Sequence, residues 1–490
     1  MMRVVIIVLA LMICHLSLSR VVAQPKREFR GAWIQCVNGQ WLGMTTEKMQ
    51  QTLTYQLDEL QRMGVNAVIF QVRPECDALY PSQLEPWSRF LTGCQGTAPN
   101  PYWDPLQWMI DQCHSRHMEL HAWINPYRAR TKNTTALSSN HIAVTHPERV
   151  FEYDNLLLLN PALQENRDYI CDVVADIVSR YDVDGLHFDD YFYPYPVAGL
   201  SIPDDAQFAA NPEGFTDRGD WRRHQVSRFV KQLYETVHDI KPWVKVGVSP
   251  FGIYRNKKND PDGSATNGLQ NYDDLYADIL LWVNKGWVDY NVPQIYWEIG
   301  NRAADYATLL TWWNDHASNR PLYIGEDIER TARFQQQADK HALFAEQEHL
   351  AGTVLWYAKA AVDNTGGYAD RLREYYWRYP ALQPQMPFIS KKTPKKPRKV
   401  KPMWVGDDYV LFWTAPRGSG WEREAVEYVV YRFEDGESVN IDDPTHIVAR
   451  TAETFYRLPV VDGTSKVTYV VTALNRMQNE SKPVKVKVRL

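Results

Sequence analysis

The stretch Asp184-Gly185-Leu186-His187-Phe188-Asp189-Asp190-Tyr191-Phe192-Tyr193-Pro194 decides how the rest of the chain is read. It passes from an apolar strand directly into two acidic residues and then into aromatic rings. Side chains alternate along a strand, so Leu186, Phe188 and Asp190 face one way and His187 and Asp189 the other. Buried carboxylates without partners are costly. Asp189 and Asp190 are therefore expected to be paired, hydrogen-bonded or placed at a solvent-lined mouth. An acidic loop start or a helix cap is the plainer reading. The aromatic run from Tyr191 to Tyr195, broken by Pro194, favours a cleft, because amphipathic rings beside carboxylates suit a sugar.

On both sides of this stretch, short apolar segments alternate with amphipathic helices. Strands are expected at Phe29 to Cys36, Ala67 to Val72 and Leu120 to Ile124, then at Gly185. Further strands follow at Val244 to Ser249, Val288 to Tyr296, Leu322 to Gly325 and Thr353 to Trp356. Between them lie helical patterns such as Glu47 to Met63, stopped by Gly64, and Trp221 to Ile240. Eight strand–helix units with no Gly-x-Gly-x-x-Gly turn after the first strand predict an α/β fold of the (β/α)8 TIM-barrel type. Polar and aromatic residues cluster just after the strands, the barrel face on which active sites sit. The long loop from Arg73 to Pro101 is a second pointer to function.

The barrel is expected over residues 27–384. Residues 385–402 carry Lys391-Lys392-Thr393-Pro394-Lys395-Lys396-Pro397-Arg398-Lys399 and read as a basic, solvated linker. Residues 403–490 show only short alternating strands, among them Tyr428 to Phe433 and Val467 to Ala473, and predict a small all-β sandwich without chemistry of its own. A chain ending near Pro384 is accordingly expected to fold and keep its site.

Residues 1–23 combine Arg3, an apolar run from Val4 to Leu18 and a small residue at Ala23, the pattern of a secretory signal. The mature protein is expected outside the cytoplasm, periplasmic or secreted. Lipoprotein anchoring through Cys14 is disfavoured by the bulky Ile13, and no later stretch is long and apolar enough to span a bilayer. The net charge of −5 argues against a nucleic-acid partner. Five cysteines remain after Cys14, in no metal-binding spacing, so no metal and no cofactor are expected. In an exported chain, Cys76 and Cys94, both in the long loop, form a candidate disulfide beside the alternative of buried thiols.

Several motifs stand in a fixed order: Arg30-Gly31-Ala32-Trp33, Gln71-Val72-Arg73-Pro74, Glu85-Pro86-Trp87-Ser88 and Ala122-Trp123-Ile124-Asn125-Pro126-Tyr127-Arg128, then the central stretch, Gly247-Val248-Ser249-Pro250-Phe251-Gly252 and Pro293-Gln294-Ile295-Tyr296-Trp297. On these the chain resembles the glycosyl-hydrolase-like family 10 of exported bacterial proteins. The resemblance implies a glycosidase-type barrel acting on cell-wall glycan or a related polysaccharide. The tail, with Tyr428-Val429-Val430-Tyr431, looks like a fibronectin type III domain.

Hydrolysis of a glycosidic bond needs one carboxyl to protonate the leaving oxygen and a second as nucleophile or base. Asp189 or Asp190 is expected as the ionised partner, its charge favoured by His187 and Arg128. Glu298, beside Tyr296 and Trp297, is the candidate acid, with Glu326 and Asp327 as competitors, since an aromatic setting raises a carboxyl pKa. Arg73, Asn125, Tyr127, Arg128, His187 and Gln294 are expected to hydrogen-bond the polysaccharide or oligosaccharide. Trp33, Trp87, Tyr191, Tyr296 and Trp297 supply rings against it. Two other classes compete: a metal-dependent carbohydrate hydrolase or deacetylase using His187, Asp189 and Asp190, and a barrel that binds glycan without cleaving it.

Overall fold

The computed structural model describes residues 24–490 apart from 133, 135, 461 and 462, so the expected signal at 1–23 lies outside the described residues. Eight parallel strands close into a barrel: β1 (Phe29–Ile34), β2 (Ala67–Arg73), β3 (Glu119–Ile124), β4 (Gly185–Phe188), β5 (Lys245–Val248), β6 (Tyr290–Asn291), β7 (Leu322–Asp327) and β8 (Leu350–Trp356). β1 closes the ring by pairing with β8 through Phe29 and Gly352, and with β2 through Gly31 and Ala67. β6 is far shorter than expected. Pro293 has no N–H to give a ladder, and beyond it only Gln294 bridges to Phe251 and Gly325.

The helices form as their sequences dictate. In α1 (Thr46–Met63) the Thr45 hydroxyl accepts from the Lys48 N–H at 3.2 Å, and Gly64, at φ 92°, ends the helix in the left-handed region. Met49, Leu53, Leu57, Leu60 and Met63 recur at helical spacing and are buried against the barrel. The loop between β3 and β4 carries a small antiparallel sheet, Arg128–Arg130, Leu156–Leu159 and Val150–Tyr153.

Cys76 and Cys94 are not bonded to each other. Cys76 is buried, its sulfur 3.2 Å from Arg73 Nη2 and 3.4 Å from the Arg128 carbonyl, whereas Cys94 is exposed. Burial pushes the Cys76 thiol up to about 12.

The tail forms a three-stranded sheet of β9 (Arg398–Val405), β10 (Asp408–Thr414) and β13 (Phe455–Arg457). A four-stranded sheet of β12 (Ile447–Thr451), β11 (Glu427–Glu434), β14 (Lys466–Leu474) and β15 (Val484–Arg489) accompanies it. Leu411, Trp413, Tyr428, Tyr469 and Val471 share the core of this all-β unit. The preceding segment is not a free spacer. Met386 is buried among the barrel-interior residues, Asn475 and Asn479 donate to the carbonyls of Lys392 and Ser390 at 2.8 Å, and β9 already begins at Arg398. The tail closes the barrel floor: Met477 joins Phe29, Tyr290 and Tyr323, Trp421 packs on Trp243, and Arg476 pairs with Asp182 at 2.9 Å. Among the described residues no helix is long and apolar enough to cross a membrane.

Candidate active site

A cavity of about 660 Å³ opens at the C-terminal end of the barrel strands. Trp33 lies near the end of β1 and Gln71 near the end of β2, Trp123 lies in β3, and Trp356 ends β8; Asp189, Asp190, Ser249, Gln294 and Tyr296 stand just past their strands. Parallel strands bring residues far apart in sequence to one rim. The small inserted sheet contributes Tyr153, Leu156 and Leu158 to the wall.

β4 ends at Phe188, so strict alternation no longer governs the next two residues and both carboxylates reach the cavity wall. Both are buried, Asp189 at 4% and Asp190 at 3% exposure. Asp190 accepts the Tyr195 hydroxyl and, at 3.2 Å, the Gln294 amide, while Asp189 accepts the Asn125 amide at a longer 3.4 Å and has the Trp123 indole beside it, which also favours its charge. Burial first, then the neighbouring charge of Asp190, raises Asp189 to about 7, with Arg128 opposing. Burial raises Asp190 too, against the hydrogen bonds from Tyr195 and Gln294 that favour its charge. The two cannot both ionise cheaply, so the pair holds a shared proton, and the bonds from Tyr195 and Gln294 favour the charge on Asp190.

Rings surround the pair. Tyr296 stacks on Trp356 with centroids 6.0 Å apart, and Trp33 stands edge-on to both. Tyr191 stacks on Tyr195 at 5.5 Å, and the Arg128 guanidinium lies 4.2 Å from the Tyr191 ring. Trp297 completes the outer wall with Phe251.

Several expected site residues lie elsewhere. Glu298 is not among the cavity-lining residues. Desolvation would raise it, but its own backbone N–H, Asn301 (2.8 Å) and Arg330 outweigh that and hold it below the ordinary carboxylate value, the opposite of an acid. Glu326 is buried under the Tyr368 hydroxyl at 2.9 Å, and Asp327 caps the following helix by accepting the Arg330 N–H. Arg73 is buried in a fork on Glu85 and on the Asn125 and Pro126 carbonyls, a brace beneath the rim. Tyr127 packs on Phe229 in the helical layer, and Trp87 sits with Tyr102 away from the cavity. His187 points into the barrel core, where burial holds it well below its ordinary pKa, so it adds no charge beside Asp189.

Tyr195 lines the cavity with Tyr191 and Tyr193 of its aromatic run, and Gln71, Trp123, Ser249, Phe251 and Trp356 line it without having been singled out as site residues in the sequence. The Gln71 Oε1 accepts the Cys36 N–H at 3.0 Å, and its Nε2 has no partner among the described residues, which leaves a buried donor at the cavity. Both His187 nitrogens are engaged, by Tyr290 and Ser249, so a His187-Asp189-Asp190 ligand set is not assembled. Among the described residues no group of three or more His, Cys, Asp or Glu could hold a metal ion.

The fold and this cavity define a TIM-barrel protein with its candidate site at the C-terminal rim of the strands. Residues 28–342 match the glycosyl hydrolase-like 10 family, and the chain belongs to it. It is 39% identical to the glycosyl hydrolase YngK of Bacillus subtilis over 94% of each chain. It is 38% identical to the glycosyl hydrolase DigH of Escherichia coli over 62% of this chain and 73% of that one. Among solved structures, the catalytic domain of a β-amylase from Paenibacillus polymyxa aligns with a TM-score of 0.49 at 11% identity, over 73% of this chain and 99% of that one.

Proposed function

We propose that the chain is an exported glycoside hydrolase that cleaves glycosidic bonds in a polysaccharide, with bacterial cell-wall glycan the first candidate. The observation that carries this reading is the pair Asp189 and Asp190: adjacent, buried in one aromatic-walled cavity, and unequally hydrogen-bonded. Asp189, raised to about 7, is the proton donor, and Asp190 is the ionised partner. As the bond from C1 to the leaving oxygen breaks, Asp189 transfers its proton to that oxygen. The Asp190 charge stabilises the positive charge that develops at C1. Water then completes the hydrolysis and returns a proton to Asp189. Trp33, Tyr296 and Trp356 supply faces for the apolar side of a sugar ring.

The test is incubation of the purified protein with a glycan panel, including peptidoglycan strands stripped of peptide, with products read by mass. Cleavage by the wild type that is lost in both Asp189→Asn and Asp190→Asn supports the reading. A wild type inert on the whole panel, or variants as active as the wild type, would overturn it. Export is checked separately, by N-terminal sequencing of the mature protein, which should begin at Gln24.

A further inference from the structure

A file of hydrogen bonds runs through the barrel core from the cavity to the floor. Ser249 Oγ lies 2.9 Å from His187 Nε2, His187 Nδ1 lies 3.0 Å from the Tyr290 hydroxyl, and that hydroxyl lies 2.7 Å from His121 Nδ1. His121 Nε2 then meets Glu119 at 3.0 Å, and Lys245 donates to the other Glu119 oxygen at 2.5 Å. The rings fit because two strand residues have no side chain. A Cβ on Gly185 would stand 2.4 Å from His121 Nδ1, and one on Gly247 would stand 1.9 Å from the Tyr290 ring. The space for this file is built into β4 and β5.

We propose that Ser249 is a specificity-determining residue that meets substrate only as a hydrogen-bond acceptor, because this file consumes its one hydroxyl proton. The proposal rests on the glycosidase reading for the nature of the ligand, a sugar hydroxyl or amide N–H, but not for the polarity of the file.

The polarity follows from the two ends. Glu119, held as a carboxylate by Lys245, can only accept, so His121 carries a proton on Nε2, and with that single proton on the ring its Nδ1 accepts. Tyr290 has a single proton and gives it to His121, so its oxygen accepts from His187 Nδ1–H. His187 is neutral in the core, which leaves Nε2 to accept the Ser249 hydroxyl. The Trp33 indole, a donor and nothing else, points at the same nitrogen at 3.5 Å. A second proton on His121 would reverse every bond above it and set His187 Nε2–H against the indole N–H. Donor-only Trp33 and acceptor-only Glu119 thus fix one direction.

The remaining valences of Ser249 are also spoken for. Its N–H donates to the Phe188 carbonyl at 2.9 Å, and its carbonyl accepts the Gln294 amide at 2.8 Å, the same amide that reaches Asp190. Only the hydroxyl lone pairs remain toward the cavity that Ser249 lines. An active-site nucleophile would need His187 to keep a charge, but its two nitrogens meet Tyr290 and Ser249 and, among the described residues, no carboxylate, so the Ser249–His187 contact is a positioning bond.

Neutron crystallography of the perdeuterated full-length protein tests the polarity without any variant. Deuterium is expected on His187 Nδ1, on His121 Nε2 and on Ser249 Oγ directed at His187. Deuterium on His187 Nε2, or on both nitrogens of either histidine, would overturn the proposal even if a glycan is cleaved. On the glycan found by the panel, Ser249→Ala should raise KM about three- to tenfold with kcat changed less, and Ser249→Thr should recover most of it. An unchanged KM in a folded Ser249→Ala protein would also overturn it. Failure of the wild type on every glycan would instead refute the glycosidase reading and leave the neutron result standing.

Discussion

Asp189 and Asp190 share one cavity but not one hydrogen-bond environment: Asp190 accepts from Tyr195 and Gln294, and Asp189 has the Asn125 amide at 3.4 Å and the Trp123 indole. Activity should therefore fall as pH rises through about 7, where Asp189 loses its proton. Asp189→Asn should lose most with poor leaving groups and little with an activated aryl glycoside. Asp190→Asn should lose several orders of magnitude on both, at about 1.4 kcal/mol per factor of ten. Rates on the two substrate types across pH check this.

The same carboxylate carries a stability cost. Its pKa is raised in the folded state, so the folded protein binds the extra proton between the unfolded value and about 7. Stability is then lost as pH rises through that window. Asp189→Asn should be nearly neutral at pH about 4 and stabilising by about 2–4 kcal/mol above pH about 8. Denaturant titrations at the two pH values decide it, and equal effects at both would mean that the pair's burial is relieved in solution.

Glu298→Gln should leave turnover within about twofold of wild type on good and poor leaving groups alike, because Glu298 sits outside the cavity with its charge already satisfied by Asn301 and Arg330. A selective loss on poor leaving groups would return Glu298 to the acid role.

A chain ending near Pro384 should be destabilised rather than merely shortened. It would bare the floor now covered by Met386, Met477 and Trp421, and would leave Asp182 without Arg476. Full burial of such side chains is worth about 1.5–3 kcal/mol each. Thermal unfolding of the truncated and full-length proteins checks this, and an unchanged midpoint would show the tail to be an accessory after all.

Cys94 should react with a thiol reagent in the native, unreduced protein, and Cys76 only after unfolding, since one is exposed and the other sealed beneath Arg73. Intact mass with and without denaturant distinguishes these from a bridge, which would block both.

The alternation of apolar strands and amphipathic helices is local, since each pattern depends on residues a few positions apart. The sequence by itself therefore determined the barrel and the all-β tail. It also pointed to Asp189 and Asp190, because two carboxylates at the end of an apolar strand have few structural uses, and to Gln294, Tyr296 and Arg128 beside them. Only the tertiary structure decided which residue meets which. Arg73 and Tyr127 follow strands just as Arg128 does, yet one braces Glu85 and the other packs on Phe229. Glu298 has aromatic neighbours in sequence, but Asn301 and Arg330 set its charge. His187 lies two residues from Asp189 and serves the core, because Gly185 and Gly247 on β4 and β5 leave room for the His121 and Tyr290 rings. The floor contacts of Met386 and Met477 join segments from opposite ends of the tail. Pairings of this kind depend on through-space distance and shared burial, which no local periodicity encodes.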